Sequence, residues 1–289
     1  MKKALNKTEK GCAAAKRAAA VFALLLVLFT ASCRPASTDA AWQKTEEGAF
    51  AAPASAKVWS APQSEAANEA PKRTSCPRKV YLTFDDGPNK ATPAVLDILK
   101  KYNVKATFFT VGSCIRANPG TARRIAEEGH LIACHTDSHE FGVIYSSPKA
   151  FVDDVRKWRK TVTEYVGAEK GAFVFRFPGG SVGREMGGRK GREAYVKAMN
   201  EAGYIAVDWN LGLNDKWLAG NTKRLPLSDY LWSSYIETWR IYGDKDPLIL
   251  LIHDTEPESV KLLPRVIEDL KSRGLEFGLC DELKANYLM

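Results

Sequence analysis

From Cys76 onward, short apolar runs alternate with amphipathic stretches, the texture of successive strand–helix units. Strands are expected at 79–84 (KVYLTF), 105–111 (KATFFTV), 131–134 (LIAC), 172–176 (AFVFR), 203–208 (GYIAVD), 247–252 (PLILLI) and 275–279 (LEFGL), with helices between most of them. Residues 92–102 open on Thr92-Pro93, a capping residue followed by proline at the first helical position, and set Val95, Ile98 and Leu99 on one face. Residues 257–273 begin similarly and stop at Gly274. Seven strands with intervening helices predict an α/β fold: one irregular (β/α) barrel of seven or eight units, with a doubly wound sheet as the alternative.

Upstream the texture differs. Ala18 to Ala31 is an apolar stretch too short to cross a bilayer comfortably but suited to a signal-peptide core, and it follows a basic start. Thr30-Ala31-Ser32-Cys33 resembles a bacterial lipoprotein box, with Thr30 where leucine is usual. Residues 1–33 are therefore read as an export signal whose Cys33 is acylated, with a plain cleaved signal and an uncleaved anchor as alternatives. All three place the chain outside the cytosol. Residues 34–75, rich in Ala, Ser, Pro, Thr and Glu, read as a flexible tether, and residues 76–289 as the catalytic domain.

Charge sharpens this division. The net charge of +8 suggests a polyanion partner until it is located. Lys2, Lys3, Lys7, Lys10, Lys16 and Arg17 against Glu9 supply most of it before residue 34, and no basic stripe interleaved with aromatics follows. A nucleic-acid partner is not expected. Of the six cysteines, Cys76, Cys114, Cys134 and Cys280 fall in the exported part, where a Cys114–Cys134 disulfide is weighed against simple packing, which is preferred.

Candidate chemistry gathers at strand ends. His135 and His139 follow the third strand as His-Thr-Asp-Ser-His, a spacing that on one helical turn would let both imidazoles meet one metal ion. Asp85 and Asp86 end the first strand before Gly87-Pro88. Adjacent side chains diverge there, so one acid can ligate while the other faces a bound water. Arg176, Asp208 and His253 end the fourth, fifth and sixth strands. In a (β/α) barrel these ends share one face, where active sites lie. His130 is read as structural, and Asp137 as a solvated loop acid, with contact to metal water or substrate as the alternative. Trp158, Trp217, Trp232 and Trp239 are read as packing residues before sugar-stacking ones.

TFDDGP, HTDSH, RFPGG, VDWN and LIHD, in this order and spacing, resemble the five motifs of the polysaccharide deacetylases, the NodB-homology domain of family-four carbohydrate esterases. The resemblance covers about residues 76–289. It implies that Asp86, His135 and His139 hold a divalent metal, zinc by expectation with cobalt or nickel as alternatives. It further implies that Asp85 is the general base, oriented by Arg176, and that His253 is the general acid, tuned by Asp208. Trp209 and Leu251 would line the acetyl pocket, and the Gly179 N–H is a candidate oxyanion donor. Many family members carry an aromatic where Gly179 stands, which leaves one groove wall open or filled from elsewhere.

The expected activity is removal of acetyl groups from an N-acetylated cell-wall glycan, peptidoglycan or chitin-like, by a monomer tethered to the membrane. An O-acetyl xylan esterase on the same scaffold is an alternative. So is a serine esterase, because Gly179-Gly180-Ser181-Val182-Gly183 matches G-x-S-x-G with Asp208 or Asp215 and then His253 following. A non-catalytic glycan-binding descendant would have lost a ligand or the acid, and none is lost.

Overall fold

A computed structural model describes residues 78–216 and 226–289. The signal, lipobox and tether assignments, Cys12, Cys33, Cys76 and Trp217 lie outside the described residues. The chain runs β1 (Lys79–Asp85), α1 (Thr92–Tyr102), β2 (Thr107–Thr110), α2 (Gly112–Ala117), α3 (Pro119–Glu127), β3 (Leu131–Cys134), α4 (Phe141–Ile144), α5 (Pro148–Tyr165) and β4 (Gly171–Phe175). It continues through α6 (Gly188–Glu201), β5 (Ile205–Ala206), β6 (Leu211–Gly212), α7 (Leu227–Tyr242), β7 (Leu248–His253), α8 (Pro257–Ser272) and β8 (Glu276–Gly278).

All strand pairs are parallel, in the order β5-β4-β3-β2-β1-β7-β6. β8 lies beside the first half of β1 and β2 beside its second half, so β1 is hydrogen-bonded along its whole length. The sheet curls as a (β/α) half-barrel. All seven expected strands form; the additional one, β6, is only two residues long and carries no periodicity to read.

Strand alternation sorts side chains into two apolar layers. On β1, Val80, Leu82 and Phe84 join the helix-facing core with Phe108, Ile132, Trp158 and Leu250. Tyr81 faces inward with Phe109, Ala133, Val174, Val207 and Ile249. Thr83 and Asp85 share that inner face by period, so the motif acid sits atop an apolar interior. Tyr287 closes one side by bridging Val207 in parallel.

Local rules account for most helix starts. Proline occupies the first turn of α1, α3, α5 and α8, and the Ser147 hydroxyl accepts from Ala150 N–H to cap α5. Thr92 departs from expectation. It lies inside α1, and its hydroxyl donates to Asp254 (2.5 Å) while accepting from Asn89 N–H (2.8 Å).

The His-containing loop is pinned from below. The carboxylate of Asp137 takes both Arg116 nitrogens (2.7 and 3.0 Å) and Thr161 (3.0 Å). Asp154 accepts from the backbone N–H of Asp137 and Ser138 (2.6 and 3.1 Å). Asp137 is therefore a buried brace and not a solvated acid. Gly112 makes room for it: a Cβ there would lie 1.9 Å from Asp137 Oδ1. Gly112→Ala is expected to displace the brace and destabilise the domain by about 1–3 kcal/mol in urea unfolding; an unchanged midpoint would show that the loop is held by other means.

Candidate metal-dependent active site

The end of β1 separates two carboxylates by backbone conformation. Asp85 keeps strand geometry and is buried, whereas Asp86 turns left-handed (φ 73°), a conformation rare outside glycine and asparagine. The pair thus diverges as expected. The His-x-x-x-His pair reaches its place differently from the helical expectation. His135 to His139 form a loop in which Thr136 (φ 72°) and His139 (φ 58°) are both left-handed, and the Thr136 hydroxyl accepts from His139 N–H at 3.2 Å. Their rings stand 5.1 Å apart.

Asp86 Oδ1 lies 3.4 Å from His135 Nε2 and 3.4 Å from His139 Nε2. His135 Nδ1 donates to the Arg176 carbonyl at 3.0 Å. A carbonyl can only accept, so Nδ1 carries a proton and Nε2 is the ring nitrogen turned toward Asp86. Burial, then the neighbouring His135, lowers the His139 pKa to about 4, which favours its neutral ring. Two imidazole nitrogens and one carboxylate oxygen facing a common point form a donor set that a cation would complete. Donors around one tetrahedral zinc-sized ion stand ~3.3 Å apart, so the residues fit. Among the described residues this is the one His/Cys/Asp/Glu cluster with ligand spacing.

Two acid–base pairs flank it. Arg176, fully buried, donates from Nη1 to Asp85 Oδ1 and Thr83 Oγ1 (both 2.8 Å), from Nε to the Val207 carbonyl (2.8 Å) and from Nη2 to that of Asp208 (3.2 Å). Asp85 Oδ2 is left on the His135 side, 3.8 Å from Nε2. Across the β1–β7 register Asp85 pairs with His253. His253 Nδ1 meets Asp215 Oδ1 at 2.6 Å, and the backbone N–H of His253 donates to Asp215 Oδ2 at 2.8 Å. Burial works against the imidazolium, but the hydrogen bond and charge of Asp215 outweigh it and the His253 pKa is raised.

The partner of His253 is thus Asp215, not Asp208. The Asp208 carboxylate instead holds the Ser181 hydroxyl and the backbone N–H of Ser181 and Met289 (3.2 and 2.9 Å). The same contacts remove the serine-nucleophile arrangement, since Ser181 is buried and its hydroxyl also receives Arg192 (3.1 Å). Asp215 follows β6, the strand without a sequence pattern, and its motif Asn-Asp-Lys-Trp has no distinguishing spacing of its own.

Asp85, Asp86, His135, His139 and His253 open into one cavity of ≈ 390 Å³, with Trp209, Leu251 and Gly179 in its walls. Two residues missed in the sequence brace it. Lys216 bridges Asp86 Oδ2 (3.2 Å), Thr255 (2.9 Å) and Glu256 (3.4 Å). Buried Asp254 accepts from Thr92 and Asn89, tying the turn after Asp86 to β7; burial, foremost, raises its pKa to about 7. His130 packs edge-on to Phe108, away from the site. Trp158 is core, while Trp232 and Trp239 lie against Arg265 and Arg273. Cys114, Cys134 and Cys280 are free thiols.

Residues 72–206 match the family model for polysaccharide deacetylase. A peptidoglycan-N-acetylglucosamine deacetylase of Bacillus cereus is 31% identical over 201 residues, covering 69% of this chain and 68% of that protein. The peptidoglycan-N-acetylglucosamine deacetylase PgdA of Listeria monocytogenes is 31% identical over 223 residues, 77% of this chain but 42% of its own length. In structure, the catalytic domain of peptidoglycan N-acetylglucosamine deacetylase from Eubacterium rectale superposes with TM-score 0.63 at 28% identity, covering 73% of this chain and 93% of that one.

The donor set makes a direct expectation. Zinc titrated calorimetrically into chelator-treated protein should bind at one site per chain, and His139→Ala or Asp86→Ala should each abolish that isotherm. Retention of full affinity in both variants would place the metal elsewhere.

Proposed function

The chain belongs to the polysaccharide deacetylase family, whose members are glycan-deacetylating hydrolases, and we propose that it removes N-acetyl groups from peptidoglycan glucosamine. The observation that carries this is the convergence of the Asp86–His135–His139 cluster with the Arg176–Asp85 and Asp215–His253 pairs in one cavity. Amide cleavage needs an activated water, a stabilised oxyanion and a protonated leaving amine.

A divalent ion, zinc in this reading, would be held by Asp86, His135 and His139 and would supply Lewis acidity and a water of lowered pKa. Asp85 takes the water proton at Oδ2, since Oδ1 is engaged by Arg176. The water oxygen bonds to the acetyl carbon, and the Gly179 N–H supports the developing oxyanion. His253 then gives its Nε2 proton to the glucosamine nitrogen as the C–N bond breaks, leaving acetate and a free amine. Asp215 fixes the tautomer and favours the imidazolium that this step consumes. Trp209 and Leu251 receive the acetyl methyl. Base and acid stand on neighbouring strand ends, ~4.8 Å apart in the hydrogen-bonding direction, which suits attack and departure at one carbonyl carbon.

The finer location is part of this proposal: export by residues 1–33, acylation of Cys33, and a monomeric domain working on the tether of residues 34–75. The basic start, apolar core and lipobox-like tetrapeptide support it. No helix among the described residues is long and apolar enough to cross a membrane.

The substrate test incubates zinc-loaded protein with peptidoglycan, chitin oligomers and acetylxylan while acetate and new free amine are both measured. Acetate with matching amine is expected, from peptidoglycan foremost. Acetate from xylan alone, without amine, would reassign the chain as an O-acetyl esterase. Asp85→Asn should lower turnover by about 10³, whereas Ser181→Ala should leave it within a few-fold; the reverse ranking would restore the serine mechanism.

The Asp215–His253 pair yields a pH expectation. His253 must be protonated to act as the acid, so kcat/KM falls as pH rises through its pKa. Asp215 raises that pKa, and Asp215→Asn should therefore move the alkaline fall to lower pH. An alkaline limb that stays in place, with only its height reduced, would separate Asp215 from the titration.

A further inference from the structure

Lys216 is the one lysine or arginine among the described residues that line the catalytic cavity. Asn214 before it is left-handed (φ 54°), and the two side chains that follow diverge. Asp215 is buried against His253, whereas Lys216 reaches the turn after β1 and the turn after β7. Its Nζ lies 3.2 Å from Asp86 Oδ2, 2.9 Å from Thr255 Oγ1 and 3.4 Å from Glu256 Oε1. An ammonium has three N–H donors, and three oxygens surround this one. The lysine is thus committed to the protein and not held ready as a counter-charge for substrate. Its side chain is 40% exposed, and an ion pair so open to water adds little to stability. Holding the fold together does not account for the contact; its place on a metal-ligand candidate does.

Asp86 is divided between two tasks. Oδ1 stands 3.4 Å from both His135 Nε2 and His139 Nε2, while Oδ2 is turned to Lys216. A carboxylate free on both sides can give either one oxygen or two to an ion. With Oδ2 beside an ammonium, Asp86 offers Oδ1 alone. The ammonium also brings a like charge close to the divalent ion that this cluster fits, and charges a few ångströms apart repel even where water penetrates.

We propose that Lys216 is a positioning residue for Asp86, restricting the carboxylate to one donor atom and loosening the grip of the cluster on its ion. It rests on the Asp86–His135–His139 reading above and adds to it a residue that sets how tightly, and through how many oxygens, that set binds. An ion less neutralised by its ligands is the stronger Lewis acid, so weaker binding here serves the chemistry.

The test titrates zinc calorimetrically into the chelator-treated full chain as wild type, Lys216→Met and Lys216→Arg. Methionine keeps an unbranched stem without the charge, and arginine restores the charge. Lys216→Met should bind zinc about tenfold more tightly than the wild type, and Lys216→Arg should stay within about threefold of it. A lysine that merely braced the loop would give the opposite sign, with affinity falling in Lys216→Met. Cobalt supplies a second readout, because its visible absorption weakens as donors beyond a tetrahedral set are added. Cobalt-loaded Lys216→Met should absorb less strongly than the cobalt-loaded wild type, and Lys216→Arg should match the wild type. Equal or weaker zinc affinity in Lys216→Met, an unchanged cobalt band in that variant, or an arginine variant that follows methionine would each overturn the proposal. A wild type that binds no zinc would sink the metal-site reading itself, an outcome distinct from a wild type that binds and a Lys216→Met protein that binds equally.

Discussion

Arg176 is the residue on which the site depends, because a guanidinium without solvent exposure must find its partners inside the protein. Its four side-chain contacts reach Thr83 and Asp85 of β1 and the carbonyls of Val207 and Asp208 after β5. Its carbonyl, on the other side of the same residue, takes the Nδ1 proton of His135 and so decides which nitrogen that ring offers. One position at the end of β4 therefore sets the orientation of Asp85 and which His135 nitrogen is turned toward Asp86. The face of Phe109, 4.1 Å from the guanidinium carbon, adds a cation–π contact from the barrel interior. Removing one partner from such a pair leaves an uncompensated buried charge, which is why the arrangement is either complete or costly.

The two carboxylate pairs at these neighbouring strand ends are built oppositely. Asp85 is held by a permanent cation that has no proton to yield. Asp215 is held by an imidazole that has one, and its charge favours keeping it. Asp85 thus has Oδ1 tied and Oδ2 available, while His253 has Nδ1 tied and Nε2 available. Both arrangements direct the reactive atom toward the cavity by satisfying the other atom behind it.

Legibility in the sequence followed the length of the pattern. β1 and β7, with unbroken apolar runs, and α1 and α8, with proline starts, were readable almost to the residue. β6 was not, since two residues have no period, and Asp215 after it was named only as an alternative acid in the serine reading, not as the partner of His253 in the deacetylase one. Asp208 looked equally suitable by position at a strand end, yet its carboxylate is committed to Ser181 and Met289. Strand-end position says that a side chain rises to the active face; it does not say which neighbour it meets there. The same limit applies to His135 and His139. Their spacing identified them, but the geometry that joins them is a loop with two left-handed residues and a carboxylate brace, not a helical turn.

Gly179 shows how a departure in one motif is absorbed by another. Its φ of 78° favours glycine, and a Cβ there would already lie 3.2 Å from Phe141 Cε1, so an aromatic side chain at 179 and the ring at 141 would compete for nearly the same space. Phe141 fills it from α4, edge-on to the His139 ring at 5.4 Å and to Tyr145 at 5.6 Å. The Tyr145 hydroxyl in turn donates to the Pro178 carbonyl at 2.6 Å, fastening α4 to the turn that carries Gly179. The space beside Gly179 is therefore occupied by a ring packed on a metal-ligand candidate. Gly179 and His139 then share one packing unit, and a change in the size of residue 141 would be felt at both.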